Sequence, residues 1–301
     1  MPQAAEYHDA VVIGAGPGGL ACAAMLGRAG TRTVVLERDA IAASWRGHYD
    51  RLHLHTWRLL SGLPGLRISS RRGRWVARDG LVSYLEAYAA HHHLDVRTGV
   101  EALRVEREAG GGGWLVETSA GAHEAPSVVV ATGYNRAPLV PAWPGREQFS
   151  GDGDLTRFGL PAPAGGMFSD FRERDVVPIL DVGLVRLIRT RTVEPVAAVE
   201  SFAGARVRLA DGTELTPDAV IAATGYRRGL EPLVGHLGVL DERSGRPLRI
   251  GGEQHPAAPG LHFVGYRNPL SGMLWEISWE ARRIARAAQA PTAPLRSPEV
   301  A

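Results

Sequence analysis

The chain has 301 residues, 45% hydrophobic and 22% charged, with a formal net charge of +2. This composition fits a globular protein with a sizeable core rather than a disordered or fibrous chain. Every one of the 34 basic residues is arginine, scattered among 32 carboxylates, so no basic block points to nucleic acid.

Ala10 to Ile13 is an apolar run that leads directly into Gly14-x-Gly16-x-x-Gly19, and Leu20 to Ala29 follows as an Ala-rich helix. Strand, tight turn and helix in that order predict a Rossmann unit. The first glycine permits the turn, the second lets a pyrophosphate approach the backbone, and the third lets helix lie against strand. The helix amino terminus then offers free N–H groups and a positive dipole end to phosphate. The only cysteine, Cys22, falls inside this helix, where it reads as a small apolar side chain. With no C-x-x-C pair, dithiol redox chemistry is excluded. Thr33 to Leu36 predicts a second buried strand, and Glu37 ends it 18 positions past Gly19. A carboxylate about twenty positions on holds a ribose hydroxyl and repels a 2′-phosphate, which favours FAD or NAD over NADP.

Ser44 to Thr56 is an irregular polar and aromatic stretch. Asp79 is expected to cap a helix whose apolar positions are Leu81, Leu85 and Tyr88/Ala89, and His91-His92-His93 reads as its solvated end rather than a metal site. From Val100 the chain predicts a strand, a Gly110–Gly113 turn, Trp114 to Thr118, and a returning strand Val128 to Tyr134 that closes in Ala-Thr-Gly-Tyr. This is an antiparallel meander feeding a parallel strand. The same order recurs from Val193 to Phe202, Val207 to Leu209 and Val220 to Tyr226. Only the first copy is preceded by a glycine fingerprint; Tyr134 to Val193 is rich in Pro and Gly breakers and carries no second one. Gly260 to Gly265 predicts a last strand, followed by a long helix with the apolar stripe Leu274, Ile277, Ala281, Ile284 and Ala288. That helix either closes the sheet or points its amino terminus, at Ser271-Gly272-Met273, toward a flavin. Pro291 to Ala301 is expected to be a disordered tail. No apolar run approaches membrane-spanning length, and Met1 to His8 lacks the pattern of a secretory leader, so a cytoplasmic location without membrane contact is expected.

Taken together, Gly14-x-Gly16-x-x-Gly19, Ser44-Trp45-Arg46, Tyr49-Asp50-Arg51-Leu52, Leu54-His55-Thr56, both Ala-Thr-Gly-Tyr strands and Gly265-Tyr266 with Ser271-Gly272 resemble the bacterial flavin-containing monooxygenases, close to their YUCCA-like branch. The resemblance implies an α/β fold: a Rossmann-type, glutathione-reductase-like FAD-binding domain with a β-meander and a truncated second nucleotide domain. It implies that Gly14, Ala15, Gly16, Pro17, Gly18, Gly19, Glu37 and Arg38 surround the FAD adenylate and pyrophosphate. Trp45, Arg46, His55 and Thr56 would line the flavin side. Val100 would meet the adenine, Ala131, Thr132 and Gly133 would pass beneath the cofactor, and Ser271 and Gly272 would face the flavin.

Where the family continues with a histidine-bearing signature and a complete NADPH-binding unit, this chain reads Phe149-Ser-Gly151-Asp-Gly-Asp-Leu155 and resumes at Thr156 to Leu160 and Pro178 to Gly183. The expected organisation is FAD-binding sequence at 1–149 and 218–290, a residual fragment of the NADPH domain at 150–217, and the tail at 291–301. Val176 to Leu180 and Val182 to Ile188 would then lack a sheet to cover them, which favours a homodimer. By resemblance the activity is transfer of one oxygen atom from a C4a-hydroperoxyflavin to a small-molecule substrate. NADPH is the family's reductant, and its binding domain is missing here. Two alternatives stay open: an oxidase or two-component monooxygenase served by another reductant such as a separate reductase, and a non-catalytic FAD-binding remnant. No catalytic residue is assigned.

Overall fold

The strand Ala10 to Ile13 is apolar on both faces, and in the computed structural model both faces are buried. The structure describes residues 5–108, 112–134, 136–138, 184–269 and 271–289. The chain forms two compact units, residues 1–136 with 228–301, and residues 137–227.

In the first unit, chain order gives β1 (Glu6–Tyr7), β2 (Ala10–Ile13), α1 (Pro17–Arg28), β3 (Thr33–Glu37), α2 (Ala43–Arg46) and α3 (Arg58–Ser61). Then come α4 (Arg78–His91), β4 (Asp95–Thr98), β5 (Ala102–Arg107), β6 (Trp114–Thr118), β7 (Gly121–Ala125) and β8 (Ser127–Val130). The second unit holds β9 (Ala137–Pro138), α5 (Leu184–Arg189), β10 (Val199–Ala203), β11 (Arg206–Leu209), β12 (Glu214–Leu215) and β13 (Tyr226–Arg227). The first unit is completed by α6 (Glu231–Val234), β14 (Leu261–Phe263) and α7 (Met273–Gln289).

A five-stranded parallel sheet runs in the order β14-β8-β2-β3-β4. Alternate residues of each strand serve two different cores. Ala10, Val12, Val35 and Val129 pack with α1, α4 and α7 on one face. Val11, Ile13, Val34, Leu36, Val128, Val130, Leu261 and Phe263 pack with the meander and α6 on the other. Two-sided burial is why these strands read as unbroken apolar runs rather than as alternation. On the helical face Leu274, Ile277, Ala281 and Ile284 are buried in register with the stripe read from the sequence, and Ala288 packs partly buried beside them. Each such aliphatic side chain contributes about 1.5–3 kcal/mol when fully buried. Cys22, in the middle of α1, has no exposed surface. Burial pushes its thiol well above the ordinary value.

The meander is the expected antiparallel one, β5-β6-β7, with β1 added parallel to β7 at its edge. It starts at Ala102 rather than Val100, and residues 109–111 of its turn lie outside the described residues. Asp79 does not cap α4. Ala77 occupies that position, and Asp79 sits in the first turn, where its carboxylate faces the positive end of the helix and takes a 2.8 Å hydrogen bond from Arg78 Nε. Leu81, Leu85, Tyr88 and Ala89 are buried as their spacing predicts.

In the second unit, β10, β11 and β12 form an antiparallel meander over Phe202, Val207 and Leu209. The expected strand Val220 to Tyr226 does not form. Only Tyr226 and Arg227 pair, antiparallel to Pro138 and Ala137, and Ile221 is 51% exposed. A Val-Ile-Ala-Ala strand needs cover on both faces, and here the small meander core reaches Val220 alone. Residues 149–160 and 176–183 of the expected truncated region, and the tail 291–301, lie outside the described residues.

Candidate functional site

The parallel strands β2, β3 and β8 end together, and their exits carry most of the residues singled out in the sequence. Gly14 leaves β2 at φ +105, and its N–H donates to the Leu36 carbonyl at 2.8 Å. A Cβ at Gly14 would lie 2.6 Å from the Ala131 carbonyl oxygen, so this turn is pressed against the chain leaving β8. A Cβ at Gly19 would lie 1.8 Å from the Gly14 carbonyl oxygen, and one at Gly18 would lie 3.2 Å from Val264 Cγ1. These contacts leave no room for side chains on three sides of the turn. Gly16 differs: it caps α1 at its amino end, Pro17 fills the first helical position, and a Cβ there would meet nothing within 4 Å. The open side of the loop is therefore the side where α1 presents its unpaired N–H groups.

Glu37 is held in place by backbone. Its Oε2 accepts from Ala15 N at 2.7 Å and its Oε1 from Asp39 N at 3.0 Å. Val100 N donates to the Glu37 carbonyl at 2.9 Å, which brings Val100 to the same strand end. Arg38 is exposed, its Nε bonded to Asp39 at 3.1 Å. Ala42, in the left-handed region, donates to the Ala15 carbonyl at 3.1 Å and so ties the start of α2 to the glycine loop. Trp45 on α2 packs against the helical-face core. Arg46 turns to the Ile41 carbonyl and to Glu86 of α4.

A second group gathers at the start of α7. Gly272, at φ +98, is so close to Thr56 that a Cβ would lie 2.3 Å from its Cγ2. Thr56 shares a 2.7 Å hydrogen bond with Ser61, and Ser271 Oγ donates to Glu276 Oε1 at 2.7 Å. Thr56 and Gly272 thus meet, with Ser271 next in the chain bonded to Glu276, whereas His55 is exposed.

Two buried groups on these exits were given no role by the sequence. The Tyr266 hydroxyl shares a 2.9 Å hydrogen bond with Thr132, and burial pushes the Tyr266 phenol up to about 12. Glu280 of α7 accepts from Gly265 N at 2.8 Å, and burial raises its carboxyl above the ordinary value. Glu280 had a signal: it lies on the buried side of α7, between Ile277 and Ile284.

Ligands of open parallel sheets bind outside the carboxyl ends of the strands, and an amino-terminal helix end there favours anions. The arrangement suits a dinucleotide. A family model described as pyridine nucleotide-disulphide oxidoreductase matches residues 11–152. The indole-3-pyruvate monooxygenase YUCCA1 of Oryza sativa subsp. japonica is 27% identical over 349 positions, which span 85% of this chain and 86% of that protein. The probable indole-3-pyruvate monooxygenase YUCCA1 of Arabidopsis thaliana is 35% identical over 147 positions, 48% of this chain and 36% of that protein. Among solved structures, a flavin-containing monooxygenase from Stenotrophomonas maltophilia superposes with a TM-score of 0.73 at 24% identity, covering 96% of this chain and 100% of that one. In this structure, as in that neighbour, the fold is the Rossmann type. No helix among the described residues is long and apolar enough to cross a membrane. Fold, glycine loop and relatives agree: the chain is similar over most of its length to flavin-containing monooxygenases, and it is an oxidoreductase of that flavin-dependent kind.

Proposed function

We propose that the chain binds FAD across the carboxyl ends of β2, β3 and β8 and oxygenates a small-molecule substrate with it, drawing electrons from a donor other than tightly held NADPH. The observation that carries this reading is Gly16. It is the one fingerprint glycine with open space where its Cβ would stand, above the amino end of α1. A pyrophosphate seated there accepts from the free N–H groups of the first turn, each charge-assisted bond contributing about 1.5–3 kcal/mol. Glu37, already oriented by Ala15 and Asp39, accepts from the ribose hydroxyls, with Arg38 at the rim and Val100 beside the adenine. Ala131, Thr132 and Gly133 form the floor. Trp45, His55 and Thr56 line the flavin side, and Ser271 and Gly272 bring the positive end of α7 to the pyrimidine edge. Arg46 joins them by exchanging its exposed pair with Glu86, which contributes at most about 1 kcal/mol. When bound, FAD supplies the redox and oxygen chemistry, and the protein supplies position and electrostatics.

The reading of the reductant rests on two supports. No second glycine fingerprint lies between Tyr134 and Tyr226. In addition, the alignment with rice YUCCA1 runs over 349 positions while drawing on 85% of this 301-residue chain, so many positions of that relative have no counterpart here. Well-placed hydride transfer draws roughly 7–11 kcal/mol from positioning alone, and a nicotinamide without its own phosphate cradle forfeits most of it. A separate flavin reductase, or the substrate itself, would then supply the electrons.

Absorption spectra under anaerobic conditions test this. Purified protein, or protein loaded with added FAD, should show a bound-flavin band that dithionite bleaches promptly and NADPH bleaches slowly and without saturation. Rapid bleaching that saturates at micromolar NADPH would overturn the reductant reading. Failure to bind FAD would overturn the whole.

A further inference from the structure

β1 is only two residues long, yet it carries a polar cluster into the fold. Glu6 pairs in register with His123 of β7, and His8 N donates to the Glu124 carbonyl at 2.9 Å. His8 and His123 are 4% and 5% exposed. His8 Nε2 lies 3.2 Å from His123 Nδ1 and 3.6 Å from Glu6 Oε1, and all three atoms fall within 4.8 Å of one another. Nitrogens bound at about 2.0–2.1 Å to a tetrahedral ion stand about 3.3 Å apart, and these two already do. We propose that Glu6, His8 and His123 form a binding site for a divalent transition metal of the zinc class, which fastens β1 to β7.

Two imidazoles and one carboxylate make a borderline nitrogen and oxygen donor set, which suits Zn(II), Co(II) or Ni(II) rather than Ca(II) or Mg(II). Ion entry moves the proton shared by the two rings to an outer ring nitrogen, so no net charge change is needed at the histidines. Glu6 is exposed and opens the site to solvent, leaving a fourth position for water. Arg97 opposes the ion: its guanidinium bonds Glu6 and Asp95, and Arg32 adds positive charge nearby. The ion would close a span of 115 residues between β1 and β7, so it should protect the amino-terminal strand. Because the pair is so distant in sequence, no local spacing announces it.

The test uses the full chain, stripped with a chelator and titrated at neutral pH with Zn(II) by calorimetry and with Co(II) by absorption at wavelengths beyond the flavin band. One equivalent should bind and raise the melting temperature. Loss of a supporting partner of a metal site costs roughly 10–100-fold in affinity, so His8→Gln and His123→Gln should cost at least that. Glu6→Gln should weaken binding by about tenfold, and Arg97→Gln should tighten it, because the carboxylate is freed. A His91→Ala/His93→Ala variant, which removes the other histidine cluster, should bind as the parent does. Unchanged affinity in folded His8→Gln and His123→Gln variants, or loss of binding in the His91/His93 variant, would overturn the proposal. If the histidine variants do not fold, the exposed pair decides: no opposite shift between Glu6→Gln and Arg97→Gln also overturns it.

Discussion

A methyl group added at Gly19 would stand 1.8 Å from the Gly14 carbonyl oxygen, whereas one added at Gly16 would meet nothing within 4 Å. The two glycines therefore separate folding from binding. Gly19→Ala should cost the turn several kcal/mol, on the order of a core overpacking, and be seen as a large drop in apoprotein melting temperature. Gly16→Val should leave that melting temperature within a few degrees and weaken FAD binding tenfold or more, read by flavin fluorescence titration. His262 gives a second test at this scale. It is fully buried in β14, and burial lowers its pKa from 6.5 to about 4. The unfolded ring takes a proton first as pH falls, so the stability is complete above about 6.5 and is lost as pH drops toward 4, by about 3 kcal/mol at most. His262→Leu should flatten that part of the pH dependence of chemical denaturation; an unchanged slope would refute the assignment. The glycine fingerprint is legible in sequence because each glycine answers a local backbone requirement. The Thr132–Tyr266 pair is not, since its members stand 134 positions apart and neither residue type demands the other.

At the scale of elements, α7 and the loop ending at Thr56 meet through a single crowded contact. Gly272 has φ +98, which an alanine adopts with strain, and its Cβ would also lie 2.3 Å from Thr56 Cγ2. Gly272→Ala should therefore destabilise by about 1–3 kcal/mol. Thr56→Ser removes only the methyl and keeps the hydroxyl that bonds Ser61. The double variant should recover the collision but not the strained φ, giving a favourable coupling of about 1 kcal/mol by denaturant melts. Additive effects would mean that the loop yields without cost. The stripe of α7 could be read from its 3.6-residue spacing because one face packs on α1 in the helical-face core and nothing else competes. Residues 220–226 misled for the opposite reason: their pattern specifies a strand covered on two faces, and cover is a property of neighbours, not of the segment. Asp79 erred by two positions, since a carboxylate favours the whole first turn of a helix and not the cap alone.

For the molecule as a whole, a fully buried Cys22 has a consequence for measurement. The chain holds one sulfhydryl, it has no exposed surface, and its raised pKa keeps it protonated. Only the thiolate reacts, so a chromophoric thiol reagent can label native protein solely when α1 lifts from the sheet. α1 is also the helix whose amino end faces the proposed pyrophosphate. Any ligand seated there must slow labelling by the factor by which it depletes the open form, one plus its concentration over its dissociation constant. Labelling traced against rising FAD should thus bend at the dissociation constant, without reference to colour or turnover. Labelling that stays fast and indifferent to FAD would mean that α1 opens without releasing the cofactor. The same seclusion spares the thiol from peroxide, so hydrogen peroxide leaking from a flavin here would leave the chain's one cysteine unmarked.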